Sequence, residues 1–116
     1  MPGMTQTAHR QRQLRGGDFP VRFATVTIAA GGVLAEGSVL GEVTVGGEYK
    51  LSVSAAEDGS EDPSVVLWED VDAEDGPVEA EVMLTGDLRS AALILGEGHT
   101  IESVRKALRR WSLFVH

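Results

Sequence analysis

The stretch Val39-Leu40-Gly41-Glu42-Val43-Thr44-Val45-Gly46-Gly47-Glu48-Tyr49-Lys50-Leu51-Ser52-Val53-Ser54-Ala55 carries the clearest local signal in the chain. Residues 39–45 are rich in Val and Leu and read as a strand. Gly41 interrupts it where a bulge or a close backbone approach would need a missing side chain. Gly46-Gly47 then reads as a two-residue hairpin turn. Beyond it, Tyr49, Leu51, Val53 and Ala55 alternate with Lys50, Ser52 and Ser54, the period of a half-buried strand over residues 49–55. An antiparallel hairpin at the centre of the chain predicts a β-rich body.

Outward from the hairpin, further strand patterns appear on both sides. Residues 23–29 are rich in Val, Ile and Thr, and Gly31-Gly32 closes them. Residues 57–63 form a polar, turn-forming loop. Val65-Val66-Leu67-Trp68 is a continuous apolar run, suited to a short strand buried on both faces. After a second acidic turn at 70–77, Val78, Ala80, Val82 and Leu84 share one face, with Glu79, Glu81, Met83 and Thr85 on the other. The apolar run 91–95 fits a helix or a strand equally. Residues 100–111 read as a helix: Thr100 caps it, Glu102 lies in its first turn and its basic residues gather toward its end. Glu102 and Lys106 are spaced as an i,i+4 pair, and Ile101, Val104, Leu108 and Trp111 form the expected core stripe. Leu113 and Val115 suggest a closing strand. The expected class is mainly β with one or two short helices (α+β), and no solenoid or propeller period is present.

The 116 residues fit one domain. Residues 1–22 contain few large apolar groups, so they cannot offset their ordering entropy and read as a flexible N-terminal arm. Fully extended, such an arm reaches roughly 65–70 Å. The body is then residues 23–116. No apolar run approaches the roughly 20 residues that span a bilayer, and no h-region follows Met1, which argues against a secretory leader. With no cysteine, disulfides, thiolate zinc sites and cysteine nucleophiles are all excluded.

Charge is uneven along the chain. Arg10, Arg12, Arg15 and Arg22 stand against Asp18 in the arm, whereas residues 57–81 hold eleven acids and no base. Arg105, Lys106, Arg109 and Arg110 make the end basic again. Basic ends and an acidic middle suit electrostatic complementarity within an oligomer or with another protein. The net charge of −8 argues against broad nucleic-acid binding.

Chemical motifs are scarce. Asp70, Asp72 and Glu74 fall on the first three ligand positions of an EF-hand loop, with Glu81 at the twelfth. The sixth position, which requires glycine, is Asp75. An acidic calcium- or small-ligand-binding β domain using Asp70, Asp72, Glu74 and Asp75 is therefore the alternative reading. Ser38 lacks the glycine spacing of a nucleophile elbow. His9, His99 and His116 have no metal-ligand spacing, and His99 reads as a residue leading into the helix. Neither Gly-Gly pair belongs to a phosphate-binding motif. No residue set supports an enzyme.

One longer pattern runs through the body. A strand followed by Gly31-Gly32 leads to Gly37-Ser38-Val39-Leu40-Gly41. Tyr49-Lys50-Leu51 and Ala55-Ala56-Glu57-Asp58-Gly59-Ser60 come next. Then follows Pro63-Ser64-Val65-Val66-Leu67-Trp68-Glu69-Asp70-Val71-Asp72-Ala73. With the apolar run through Ala92-Leu93 and the helix 104–111, this collinear series resembles the phage head decoration protein family of the lambda protein D type. The motif core of that resemblance is Gly37, Leu40, Gly41, Gly59, Pro63, Val66, Leu67, Asp70 and Asp72.

The resemblance implies a β-clip or β-tulip fold and a homotrimer on local three-fold sites of the expanded head. It implies a cement protein on the outer surface of the virion, bound to the major capsid protein and holding the shell against DNA pressure. It implies no catalytic residue, cofactor, membrane or direct nucleic-acid contact. Assembly in the host cytoplasm agrees with the missing cysteines. Its capsid-binding element would be the arm, here with Arg10, Arg12, Arg15, Phe19, Pro20 and Arg22, although the arm's composition departs from the family pattern near its start.

Overall fold

The computed structural model describes residues 19–116. Its strands are β1 (Arg22–Ile28), β2 (Val33–Leu34), β3 (Val39–Glu42), β4 (Tyr49–Leu51), β5 (Pro63–Leu67), β6 (Val71–Asp72), β7 (Val78–Leu88) and β8 (Leu113–Val115). A 3-10 turn at Ser90–Ala92 and one helix, α1 (Ile101–Arg109), complete the body. Arg10, Arg12 and Arg15 lie outside the described residues.

The strands follow the order β1-β4-β3-β5-β7-β8, and β1 also pairs with β7. The extra pairing closes the first five strands into a small barrel-like ring, which removes the open edges an unclosed sheet would leave. The β1–β7 ladder is the longest, running antiparallel from Phe23↔Met83 to Ile28↔Val78. β4 joins β1 through a single parallel pair, Ile28↔Tyr49, and β8 extends β7 in parallel. β2 and β6 form a separate two-stranded ribbon.

β5 is the wall between two cores, as its uninterrupted apolar run predicts. Val65 and Leu67 face one cluster with Ile28, Leu40, Ala80 and Val82, drawn from the ring strands. Val66 and Trp68 face the other with Met83, Leu88, Val104, Leu108 and Leu113, beneath α1 and β8. β7 crosses from one core to the other. Met83 therefore shares a strand face with the exposed Glu79 and Glu81 yet is fully buried, because Trp68 and the helix cover that end.

The central hairpin forms with a different turn. Val43 N–H donates to the Glu48 carbonyl (2.8 Å) and Gly47 N–H to the Val43 carbonyl (3.1 Å), so residues 44–47 make a four-residue loop. The register is Leu40↔Leu51 and Gly41↔Lys50, two residues from that of the expected Gly46-Gly47 turn. A slip of two keeps every side chain on its face, so alternation could not distinguish the two registers. β4 also ends at Leu51 rather than Ala55. Ser54 N–H turns away to the Glu97 carbonyl (3.0 Å), and it is Ser52, not Val53, that is fully buried.

The helix begins as expected, with Thr100 Oγ1 accepting from Ser103 N–H (3.1 Å) and Ser103 Oγ accepting from Thr100 N–H (3.0 Å). Two expectations about it fail. Glu102 pairs with Arg105 (2.9 Å) rather than Lys106, since Arg105 Nε is already held at the Val115 carbonyl (3.1 Å). Trp111 lies beyond the last helical turn, where Ser112 at φ 67° redirects the chain, and is 50% exposed. The run 91–95 resolves into the 3-10 turn followed by extended chain, with Ile94 bridged to Ser38.

The acidic loop after β4 is pinned by one ion pair. Lys50 Nζ lies 2.5 Å from Asp58 Oδ2, and Ser60 donates to Asp58 Oδ1 from its hydroxyl (2.6 Å) and its N–H (3.0 Å). The Lys50 ammonium, then the Ser60 donors, hold the Asp58 carboxyl well below the usual carboxylate range. A depressed carboxylate contributes stability at neutral pH that is lost only as pH falls through its lowered value. In a carbon-detected NMR titration, Asp58 is expected to stay ionised below the pH at which ordinary carboxylates protonate. Lys50→Met should move it up toward them; an unmoved titration would contradict this assignment.

Candidate functional site

Chain order places the arm's attachment beside the C-terminus. Upstream of β1, the Phe19 ring meets the Phe114 ring edge-on (centroids 4.9 Å apart, 69° between planes). Phe19 N–H donates to Asp87 Oδ2, and Thr85 Oγ1 donates to the Pro20 carbonyl (3.0 Å). Val21 packs against the helix-side core, and Arg22 opens β1 opposite Thr85 with its side chain exposed. Three residues assigned to the arm from sequence, Phe19, Pro20 and Arg22, are thus seated on the body.

Asp87 is the centre of this anchor. It is only 8% exposed, near the end of β7, and its second oxygen lies 2.7 Å from His116 Nε2. A buried carboxylate needs such partners, because an unpaired one would be strongly disfavoured. The last residue of the chain and the first of the root are therefore fastened to one side chain. The sequence does carry a trace of it: Asp87 is an acid set between Gly86 and Leu88 at the end of a strand pattern. Nothing local says that Phe19, His116 and Phe114 converge on it.

The motif residues serve elsewhere, as scaffold. Leu40, Val66 and Leu67 are fully buried core, and Pro63 pairs with Gly41 across the β3–β5 irregularity. Gly37 donates its N–H to the Leu67 carbonyl (2.8 Å) and accepts from Ile94 N–H (3.0 Å). A Cβ on Gly59 would lie 2.2 Å from Thr44 Oγ1. Asp70 Oδ1 accepts from Glu36 N–H (2.8 Å) and Asp72 Oδ1 from Glu74 N–H (3.0 Å). Both carboxylates hold turns, and they do not join the arm root in one site.

These bonds also bear on the calcium reading. Asp70 and Asp72 each engage backbone N–H groups, and among the described residues no cluster of three or more His, Asp or Glu is placed to hold a metal ion. A groove of about 590 Å³ is lined by Ala29, Gly31, Leu34, Leu51, Val53 and Ala56 among others. Its one ionisable lining residue, Lys50, is engaged by Asp58.

His99 touches two serine hydroxyls, and the first, Ser52 Oγ, lies 3.1 Å from its Nε2. His99 Nε2 also lies 3.0 Å from the Glu61 carbonyl, which can only accept, so Nε2 carries the proton and cannot take one from Ser52. Nδ1 lies 3.0 Å from Ser103 Oγ. His99 is a strut tying β4's end, the acidic loop and the helix start together.

Among its described residues the molecule is thus a small β body with an anchored N-terminal root and no side-chain cluster placed to hold a metal ion. No helix of the described residues is long and apolar enough to cross a membrane. The chain belongs to the family of bacteriophage lambda head decoration protein D, whose model matches residues 4–112. It is accordingly a phage head decoration protein, in a family of capsid structural proteins rather than enzymes. A search of curated proteins found no match.

Proposed function

We propose that this protein is a capsid cement protein that binds the outer surface of the expanded phage head as a homotrimer at local three-fold sites. There it would join neighbouring major capsid protein subunits and hold the shell against the pressure of packaged DNA. Assembly would take place in the host cytoplasm, with no cofactor and no direct nucleic-acid contact. The observation that carries the reading is the family match, which begins at residue 4 and so includes chain ahead of the anchored root.

The anchor supports a division of labour. Phe19, Pro20 and Val21 fix where the arm departs, so residues 1–18 form the capsid-binding element and Arg10, Arg12 and Arg15 its charged part. A segment that orders on binding gives weak contacts per residue but sums them over its length. Three arms on one trimer raise the effective affinity, often about 100-fold or more where the spacing fits. Backbone pairing of an extended arm with a shell strand would tolerate its variable sequence.

Co-sedimentation with purified heads tests this function. The full chain is expected to pellet with expanded heads that lack decoration protein and to remain in solution with unexpanded ones. Equal binding to both, or to neither, would overturn the reading.

A further inference from the structure

We infer that the surface of α1 and Trp111 docks on the outer face of the β1–β7 ladder of a second copy of this chain. The inference rests on the trimer proposed above and names the two surfaces that would build it. The first surface is unpartnered on two counts. Lys106, Arg109 and Arg110 are exposed, and none of them forms an ion pair with a described residue. Trp111 follows directly, half exposed, on the wall of a groove of about 320 Å³ shared with Tyr49, Val65, Leu84 and Thr85. Glu42 is the one acid on that groove. An exposed indole beside several cations is a form common at protein interfaces, where Trp and Arg are enriched.

The second surface is its electrostatic complement. On the outer face of the ladder, Thr25 lies opposite Glu81 and Thr27 opposite Glu79. Glu69 joins them, its Oε2 accepting from Glu81 N–H (2.8 Å). All three glutamates are exposed, and no cation among the described residues pairs with them. With the short Thr25 and Thr27 opposite them, these carboxylates form an acidic shelf on the ladder.

Position then selects the mode of association. Glu79 and Thr85 are six residues apart on β7, about 20 Å at strand rise. The acidic shelf and the Trp111 groove therefore lie toward opposite ends of one strand. A two-fold contact through the basic surface would set like charges against each other. Basic surface on acidic shelf is a head-to-tail contact, the kind that generates rings.

The test reads subunit number of the full-length protein by light scattering across a salt series, with circular dichroism as the folding check. Arg109→Glu/Arg110→Glu and, separately, Glu79→Lys/Glu81→Lys should each weaken trimer assembly at least about tenfold. The chain carrying all four reversals should assemble again, because the complementarity is restored with inverted sign. Folded trimers from both double variants would overturn the assignment of surfaces while leaving the trimer itself standing. A monomeric wild-type chain at every concentration would overturn the trimer reading and the inference with it. Should one double variant fail to fold, the other and the four-fold variant decide: no loss in the first, or no recovery in the second, refutes the pairing.

Discussion

Removing residues 2–18 is expected to abolish retention on expanded heads while leaving the body folded. Both cores and every described contact of the root lie at residue 19 or beyond. Keeping Met1 ahead of Phe19 preserves the Phe19 amide that donates to Asp87. The truncated chain should then still unfold cooperatively, since both cores lie within residues 19–116. Affinity for heads should fall at least about 100-fold, since each trimer loses three tethered contacts at once. A cut one residue later would confuse the result, because it removes the Phe19–Phe114 packing and a hydrogen bond to a buried carboxylate. Co-sedimentation paired with thermal unfolding checks both halves, and undiminished binding of the folded truncation would contradict the role of the arm.

Gly41→Val should strongly destabilise the body. A Cβ at position 41 would stand 2.1 Å from the Ser60 carbonyl oxygen and 2.8 Å from its Cα. Those are backbone atoms, and neither side has room to yield. Ser60 is fully buried and tied to Asp58 through its hydroxyl and its N–H, while Gly41 is held between β4 and β5. Overpacking typically costs roughly 1–3 kcal/mol and more where, as here, backbone blocks backbone. Against a typical total of about 5–15 kcal/mol, a large share of the fold is lost. Urea unfolding should show a sharply reduced midpoint or no folded baseline; a midpoint close to wild type would show that the approach of the two segments is not obligatory.

What could be read from sequence follows the range of the interactions. β5 and β7 were legible because burial on one or both faces writes itself into neighbouring residues: Val65 to Trp68 as a run, Val78 to Leu84 as an alternation. The helix start was legible because Thr100 and Ser103 cap it locally. Gly41 advertised a close approach but not that Ser60 makes it. The hairpin register differs by two residues from the one its Gly-Gly pair suggests, because both registers bury the same side chains. Trp111 fell on the helical stripe by spacing, yet the chain leaves the helix first and puts the indole on a groove.

The anchor was invisible for a different reason. Asp87 draws together Phe19 and His116, which are 68 and 29 residues away along the chain, and such long-range pairs leave no periodic trace. The family series, by contrast, was legible from turn glycines and buried strand residues that the structure places in the scaffold. It pointed to the class of protein without marking a binding surface.

On the proposed function, this body and its arm occupy defined sites on a phage head. Titrating the full-length protein onto expanded, undecorated heads and weighing the complexes by native mass measurement tests it most directly. Binding should saturate and level off at three copies for each local three-fold site. Binding that fails to saturate, or that levels off at a number unrelated to those sites, would contradict it.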